Sequence, residues 1–93
     1  MSEPPRGPLG IVAGSGAFPG AVAEAVRMEG REVVLFLIQG FADPALERYE
    51  HLWFRLGSLG GVAAKARARG IRDLVMVGGL TRPRVRDLGF DWT

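Results

Sequence analysis

Three short stretches of this chain carry residues that could do chemistry. In the first, an apolar run stops at Gly14-Ser15-Gly16 and helix-forming residues resume after Pro19-Gly20. A strand, a glycine turn and a helix N-terminus in succession present backbone amides and the positive end of a helix dipole to an anion. Gly14 and Gly16 could take positive φ or let a ligand approach closely, and Ser15 adds a hydroxyl. In the second stretch, Gly57-Ser58 opens another helical segment and repeats the pattern. The third runs from Gly79 to Arg86, just past an apolar run ending in Gly78-Gly79, with Arg82, Arg84 and Arg86 alternating along it. A guanidinium fork suits pyrophosphate. Arg82, nearest the strand end, is the candidate, whereas Arg84 and Arg86 read as solvated charges. The candidate ligand-binding residues are therefore Gly14, Ser15, Gly16, Gly57, Ser58, Gly78 and Arg82. The bland alternative for the first turn stays open, because any tight strand-to-helix turn favours glycine and proline.

Other chemistries fail on the residues. The dinucleotide fingerprint wants a third glycine where Pro19 stands and an acid ending the second strand where Gln39 stands,. No GxxxxGK[ST] sequence is present, so a P-loop is excluded. There is no cysteine and one histidine, His51, which begins a strand and reads as structural. Asp43, Asp73, Asp87 and Asp91 are scattered, so no catalytic residue and no metal ligand is assigned. Ten acids against twelve bases leave a net charge of +2 and no nucleic-acid recognition motif appears,. No apolar run approaches the roughly 20 residues of a membrane span. The leading MSEPPRGP does not have the form of a signal peptide,. A cytoplasmic setting is expected.

The elements that would position these residues follow from the hydrophobic pattern. Residues 1–7 are expected to be a flexible lead and 8–93 a single domain. Leu9–Ala13, Glu32–Ile38 and Leu74–Val77 are continuous apolar runs, the pattern of strands covered on both faces,. His51–Leu56 alternates, with Leu52, Phe54 and Leu56 on one face. Gly20–Glu29 reads as a helix burying Ala21, Val22, Ala25 and Val26 and closed by Gly30. A second helix from Gly57-Ser58 to about Arg69 buries Leu59, Val62, Ala63 and Ala66. Asp43-Pro44 predicts a short helical turn in the connection between the halves. The order β-α-β, connection, β-α-β predicts an α/β fold, an open sheet of about four mainly parallel strands with helices packed on it. Glycines 14, 40, 57 and 78 then fall at the carboxyl ends of the strands, the edge where such sheets bind ligands,. Leu88, Phe90 and Trp92 come after the last strand with nothing following, which predicts an apolar patch and a chain truncated before a further domain.

Taken together, LGIVAGSGAFP, GFADPALERYEH and VMVGGLTRP resemble the N-terminal domain of the UDP-2,3-diacylglucosamine pyrophosphatases of the LpxI type. The resemblance covers residues 8–93. It rests on G-x-G-x-x-P (Gly14, Gly16, Pro19), F-A-D-P (Phe41 to Pro44), the glycine-led second helix, and G-x-x-x-R-P (Gly78, Arg82, Pro83). It implies a Rossmann-like domain from an enzyme of lipid A biosynthesis that hydrolyses UDP-2,3-diacylglucosamine to lipid X and UMP. It also implies Mg²⁺ in the full-length enzyme, held by acidic residues of a C-terminal domain, with no cofactor in this chain. The substrate would lie between the two domains, so this chain alone is expected to be inactive. Peripheral contact with the inner membrane and a homo-oligomer are expectations of the same reading. The alternative is a stand-alone module binding a nucleotide or sugar phosphate.

Overall fold

The computed structural model describes residues 7–80. Its elements are β1 (Leu9–Ala13), α1 (Phe18–Met28), β2 (Val33–Ile38), a 3-10 turn at Pro44–Arg48, β3 (His51–Phe54), a second 3-10 turn at Leu56–Gly61, α2 (Val62–Ala68) and β4 (Asp73–Val77). The strands form one sheet in the order β3-β2-β1-β4, and every pairing is parallel. This is the α/β open sheet that the sequence predicts.

Strict alternation along the strands builds a core on each face. Leu9, Ile11 and Ala13 of β1 join Val33, Leu35 and Leu37 of β2 under α1, with Ala23 and Leu46. Val12, Val34, Phe36 and Ile38 point to the other face, where Val62 and Ala66 of α2 and Ile71 cover them. β1 and β2 are therefore buried along their whole length. That is why they read as unbroken apolar runs rather than alternating ones. Both helices close alike: Gly30 donates to the carbonyl of Arg27 and Arg31 to that of Val26, and Gly70 and Ile71 repeat this on Arg67 and Ala66. These are Schellman caps, with the glycine in the left-handed conformation that it adopts without a Cβ penalty,. At the amino edge, the Arg31 guanidinium donates to the Gly7 carbonyl at 2.9 Å and pairs with Asp73 at 2.7 Å, tying the start of β4 to the α1–β2 turn.

Three expectations are corrected. α1 starts at Phe18 and buries Pro19 and Ala23, with Val22 and Val26 half-buried, while Ala21 and Ala25 are exposed. Positions 19, 22, 23 and 26 are the helical i, i+3, i+4, i+7 stripe, and the small Ala23 at its centre is fully buried,. β3 ends at Phe54, and α2 proper starts only at Val62. Non-helical angles at Ser58 break the glycine-rich stretch between them, and Ala63 is exposed. β4 is not fully buried: Leu74, Val75 and Met76 are 38%, 40% and 51% exposed, because β4 lies at a sheet edge. The predicted flexible lead lies almost wholly outside the described residues, as do Leu88, Phe90 and Trp92.

Leu35 has no exposed surface, so Leu35→Ala should cost about 2–5 kcal/mol in urea unfolding, a large part of a small domain's stability,. Met28→Ala at the exposed end of α1 should change it by less than about 0.5 kcal/mol,.

Candidate functional site

Every strand runs the same way, so all four carboxyl ends open onto one edge. β2 and β3 lie on one side of β1 and β4 on the other, which makes the β1/β4 junction the point where the strand order reverses,. Gly14-Ser15-Gly16 and Gly78-Gly79 meet there. The Ser15 amide donates to the Gly79 carbonyl at 2.7 Å, the Gly79 amide to the Ser15 carbonyl at 3.2 Å, and the Gly14 amide to the Val77 carbonyl at 2.9 Å. The Ser15 hydroxyl donates to the Gly79 carbonyl at 3.0 Å. A Cβ on Gly14 would collide with the Gly79 carbonyl oxygen, and one on Gly78 would sit 2.7 Å from the Ser15 carbonyl oxygen. Glycine stands at both positions because two backbones touch.

Beside this clasp, a cavity of about 350 Å³ opens between the start of α1 and the Pro44–Arg48 turn. Gly16, Ala17, Gly20, Ala21 and Glu24 line one wall, and Asp43, Ala45, Leu46 and Arg48 the other. Gly16 has φ +96° with nothing crowding it, so the left-handed backbone is what the turn asks of it. α1 carries no side-chain cap at Ala17 and no acidic residue in its first turn. Pro19 has no amide hydrogen and the Ala21 amide already donates to the Ala17 carbonyl at 3.2 Å, which leaves Phe18 and Gly20 to supply the leading amides, at the positive end of the helix dipole,.

The facing wall supplies a cation. The Arg48 guanidinium donates to the Tyr49 hydroxyl at 3.1 Å, which donates to the Glu24 carboxylate at 2.8 Å. Arg27 and Arg48 lie 5.6 and 5.1 Å from the centroid of the Tyr49 ring. The hydrogen bond with Tyr49 raises the Arg48 pKa further above its already high ordinary value, so its charge is fixed. The cavity's two carboxylates are engaged: Glu24 accepts from Tyr49 and lies 3.6 Å from Arg27, and Asp43 accepts from the Ala45 amide at 2.9 Å. This wall can hold an acidic group between α1 and Arg48.

The structure brings together Gly14, Ser15, Gly16 and Gly78, with Ser15 spending its amide and hydroxyl on Gly79. Gly57 and Ser58 lie elsewhere, in the 3-10 turn after β3. Ser58 borders a separate apolar cavity of about 140 Å³ with Phe36, Leu52, Phe54 and Val62, on the α2 face. Arg82 lies outside the described residues. The sequence reading missed Arg48, Tyr49 and Glu24. Their only signal is Asp43-Pro44, which caps the turn and sets Arg48 four residues on. His51 begins β3 and its Nδ1 meets the Tyr49 carbonyl at 2.8 Å, a structural contact. Among the described residues, no group of three or more His, Cys, Asp or Glu could hold a metal, and no helix is long and apolar enough to cross a membrane.

A profile described as the LpxI N-terminal domain matches residues 8–93. UDP-2,3-diacylglucosamine pyrophosphatase LpxI of Caulobacter vibrioides is 33% identical over 75 residues, which are 81% of this chain and 27% of that relative. The chain thus aligns with little more than a quarter of the relative's length.

Gly14→Ala should destabilise the domain by about 1–3 kcal/mol, since neither backbone can yield without a shift,. Amide exchange at Ser15 and Gly79 should speed up with it. Gly57→Ala, with nothing within 4 Å of the new methyl, should leave both readings near wild type.

Proposed function

The chain belongs to the LpxI family through its N-terminal domain, and from that premise we propose that it forms one wall of a UDP-2,3-diacylglucosamine site. The observation that carries this reading is the uncapped start of α1 facing Arg48 across the cavity at the carboxyl edge. A diphosphate or its monophosphate product is the part of such a substrate that this wall suits. The amides opening α1 take one side of the phosphate and the Arg48 guanidinium the other, held by Tyr49,. Gly14 and Gly78 keep the turn in place, and Arg82, four residues past Gly78, supplies a second guanidinium. Gly57 and Ser58, on the α2 face, serve a different part of the ligand.

The reaction in this reading is hydrolysis to lipid X and UMP, completed by a second domain that shares the ligand. The described residues do not fit a Mg²⁺ ion, so no step here runs through one. The metal that the resemblance implies belongs with acidic side chains elsewhere in the enzyme. The domain contributes binding and orientation and leaves the attack on phosphorus to that partner. A cytoplasmic location, with contact at the inner membrane through the lipid substrate, accompanies this reading.

Ala21→Glu tests the wall without unfolding it. Ala21 is exposed and lines the cavity, and a carboxylate in the first turn suits the helix dipole,. Titration calorimetry should show UMP and lipid X binding lost in Ala21→Glu and weakened at least several-fold in Arg48→Gln, with melting temperatures unchanged or raised. Undiminished binding in both variants rejects this cavity as the site. Incubated with UDP-2,3-diacylglucosamine and Mg²⁺, the 93-residue chain should release no UMP, and measurable turnover would remove the division of labour proposed here.

A further inference from the structure

The two faces of the sheet carry opposite charge. Residues 18–50, which cross it with α1 and the Pro44–Arg48 turn, hold six carboxylates and three arginines. Residues 51–72, which cross it on the other face with α2, hold Arg55, Lys65, Arg67, Arg69 and Arg72 and no carboxylate. All five of these bases are exposed. Arg69 donates to Glu50 at 2.6 Å. Among the described residues, Arg55, Lys65, Arg67 and Arg72 have no side-chain partner. A surface of one sign raises the local concentration of an oppositely charged partner. Beneath the charges the same face is apolar. Leu52 and Phe54 pack against the core around Phe36, and with Val62 they line the cavity of about 140 Å³ that Lys65 borders.

We propose that this face lies against an anionic lipid bilayer, with Arg55, Lys65, Arg67 and Arg72 on the headgroup phosphates. The choice of a bilayer rests on the lipid substrate proposed above; the charge and its segregation select the face. Leu56, Ala63 and Ala64 stand exposed among the bases and offer little area to insert. The attachment is therefore electrostatic, reversible and sensitive to salt. Nucleic acid suits the face less well. Single strands stack on exposed aromatic rings, whereas Trp53 and Phe54 are half-buried along the cavity,. The 3-10 turn leading into α2 follows the carboxyl end of β3, so this face meets the edge that holds the phosphate cavity. A bilayer on it brings headgroups to the edge where the anion wall stands, and turns the carboxylates of the α1 face away from the anionic surface.

Co-sedimentation of the full chain with vesicles tests this. Vesicles with a third of their phosphatidylcholine replaced by phosphatidylglycerol should retain at least several-fold more protein than pure phosphatidylcholine. The difference should vanish in about 1 M salt, where the screening length is about 3 Å. Lys65→Gln with Arg67→Gln should cut retention on the anionic vesicles at least several-fold at an unchanged melting temperature, since both side chains are exposed and unpartnered. Ala25→Glu with Met28→Glu lowers the net charge equally on the α1 face and should leave retention near wild type. Equal loss in the two double variants overturns the proposal, because net charge alone then accounts for binding. So does equal retention on neutral vesicles, or none on anionic ones. Displacement from anionic vesicles by poly(U) at equal phosphate concentration also overturns it, and makes the partner a nucleic acid. The vesicles hold no nucleotide and no glucosamine lipid. A chain that binds vesicles but not UMP loses the cavity and keeps this face, and one that binds UMP but not vesicles does the reverse.

Discussion

Parallel pairing of β1 with both of its neighbours is the constraint from which the rest of the molecule follows. A parallel partner cannot be reached by a hairpin, so the chain must cross the sheet to reach each new strand. It passes from β1 to β2 through α1 and from β2 to β3 through the Pro44–Arg48 turn on one face, and from β3 to β4 through α2 on the other, which is why β1 and β2 are buried along their whole length. Burial on both faces in turn requires residues such as Ile11, Leu35, Phe36 and Leu37, all essentially without exposed surface. The same constraint sends every strand toward one edge and gathers the loops there. The site's location is thus a consequence of pairing direction, before any side chain is chosen.

At that edge the backbone determines more than the side chains do. Gly14 and Gly78 let the β1–α1 turn and the chain leaving β4 approach until their peptide groups bond directly. The clasp fixes where α1 begins. The start of α1 then lacks a cap, so its amides face a cavity rather than a serine or aspartate of their own. Arg48 reaches that cavity because Asp43 caps a short turn that aims it back across the edge, and Tyr49 braces it from behind. The cavity therefore draws on two sequence segments separated by the whole of β2.

The parts of this arrangement visible in the sequence are those with local signatures. Continuous apolar runs marked β1 and β2, glycines marked the strand ends, and Asp43-Pro44 marked the 3-10 turn. Three features escaped because they depend on neighbours. Nothing within DLVMV says that β4 lies at an edge; an apolar run looks the same whether or not a further strand or helix covers it. The stripe of α1 shifted because its start at Phe18 is set by the clasp, whereas Ala21 and Ala25 are apolar enough to suit either face. Arg48 carries no local signal of a role, and only the fold sets Tyr49 and Glu24 beside it. Ser15 shows the converse. Its type and position suggested a ligand hydroxyl, and the fold gives that hydroxyl to Gly79.

The character of the wall also bears on why a domain of this kind would work with a partner. Main-chain amides and one guanidinium recognise charge and shape, but neither can take or give a proton near neutral pH. Arg48 is pushed further from that range by Tyr49. The carboxylates within reach are held in place by hydrogen bonds, Glu24 to Tyr49 and Asp43 to the Ala45 amide. A cavity of about 350 Å³ lies at the low end of the roughly 300–1,000 Å³ typical of ligand sites, room for a phosphate and part of a sugar but not for a whole diacylated nucleotide sugar,. In the function proposed above, such a wall would bind and orient an anion and leave the acid, the base and the rest of the ligand to whatever surface closes over it.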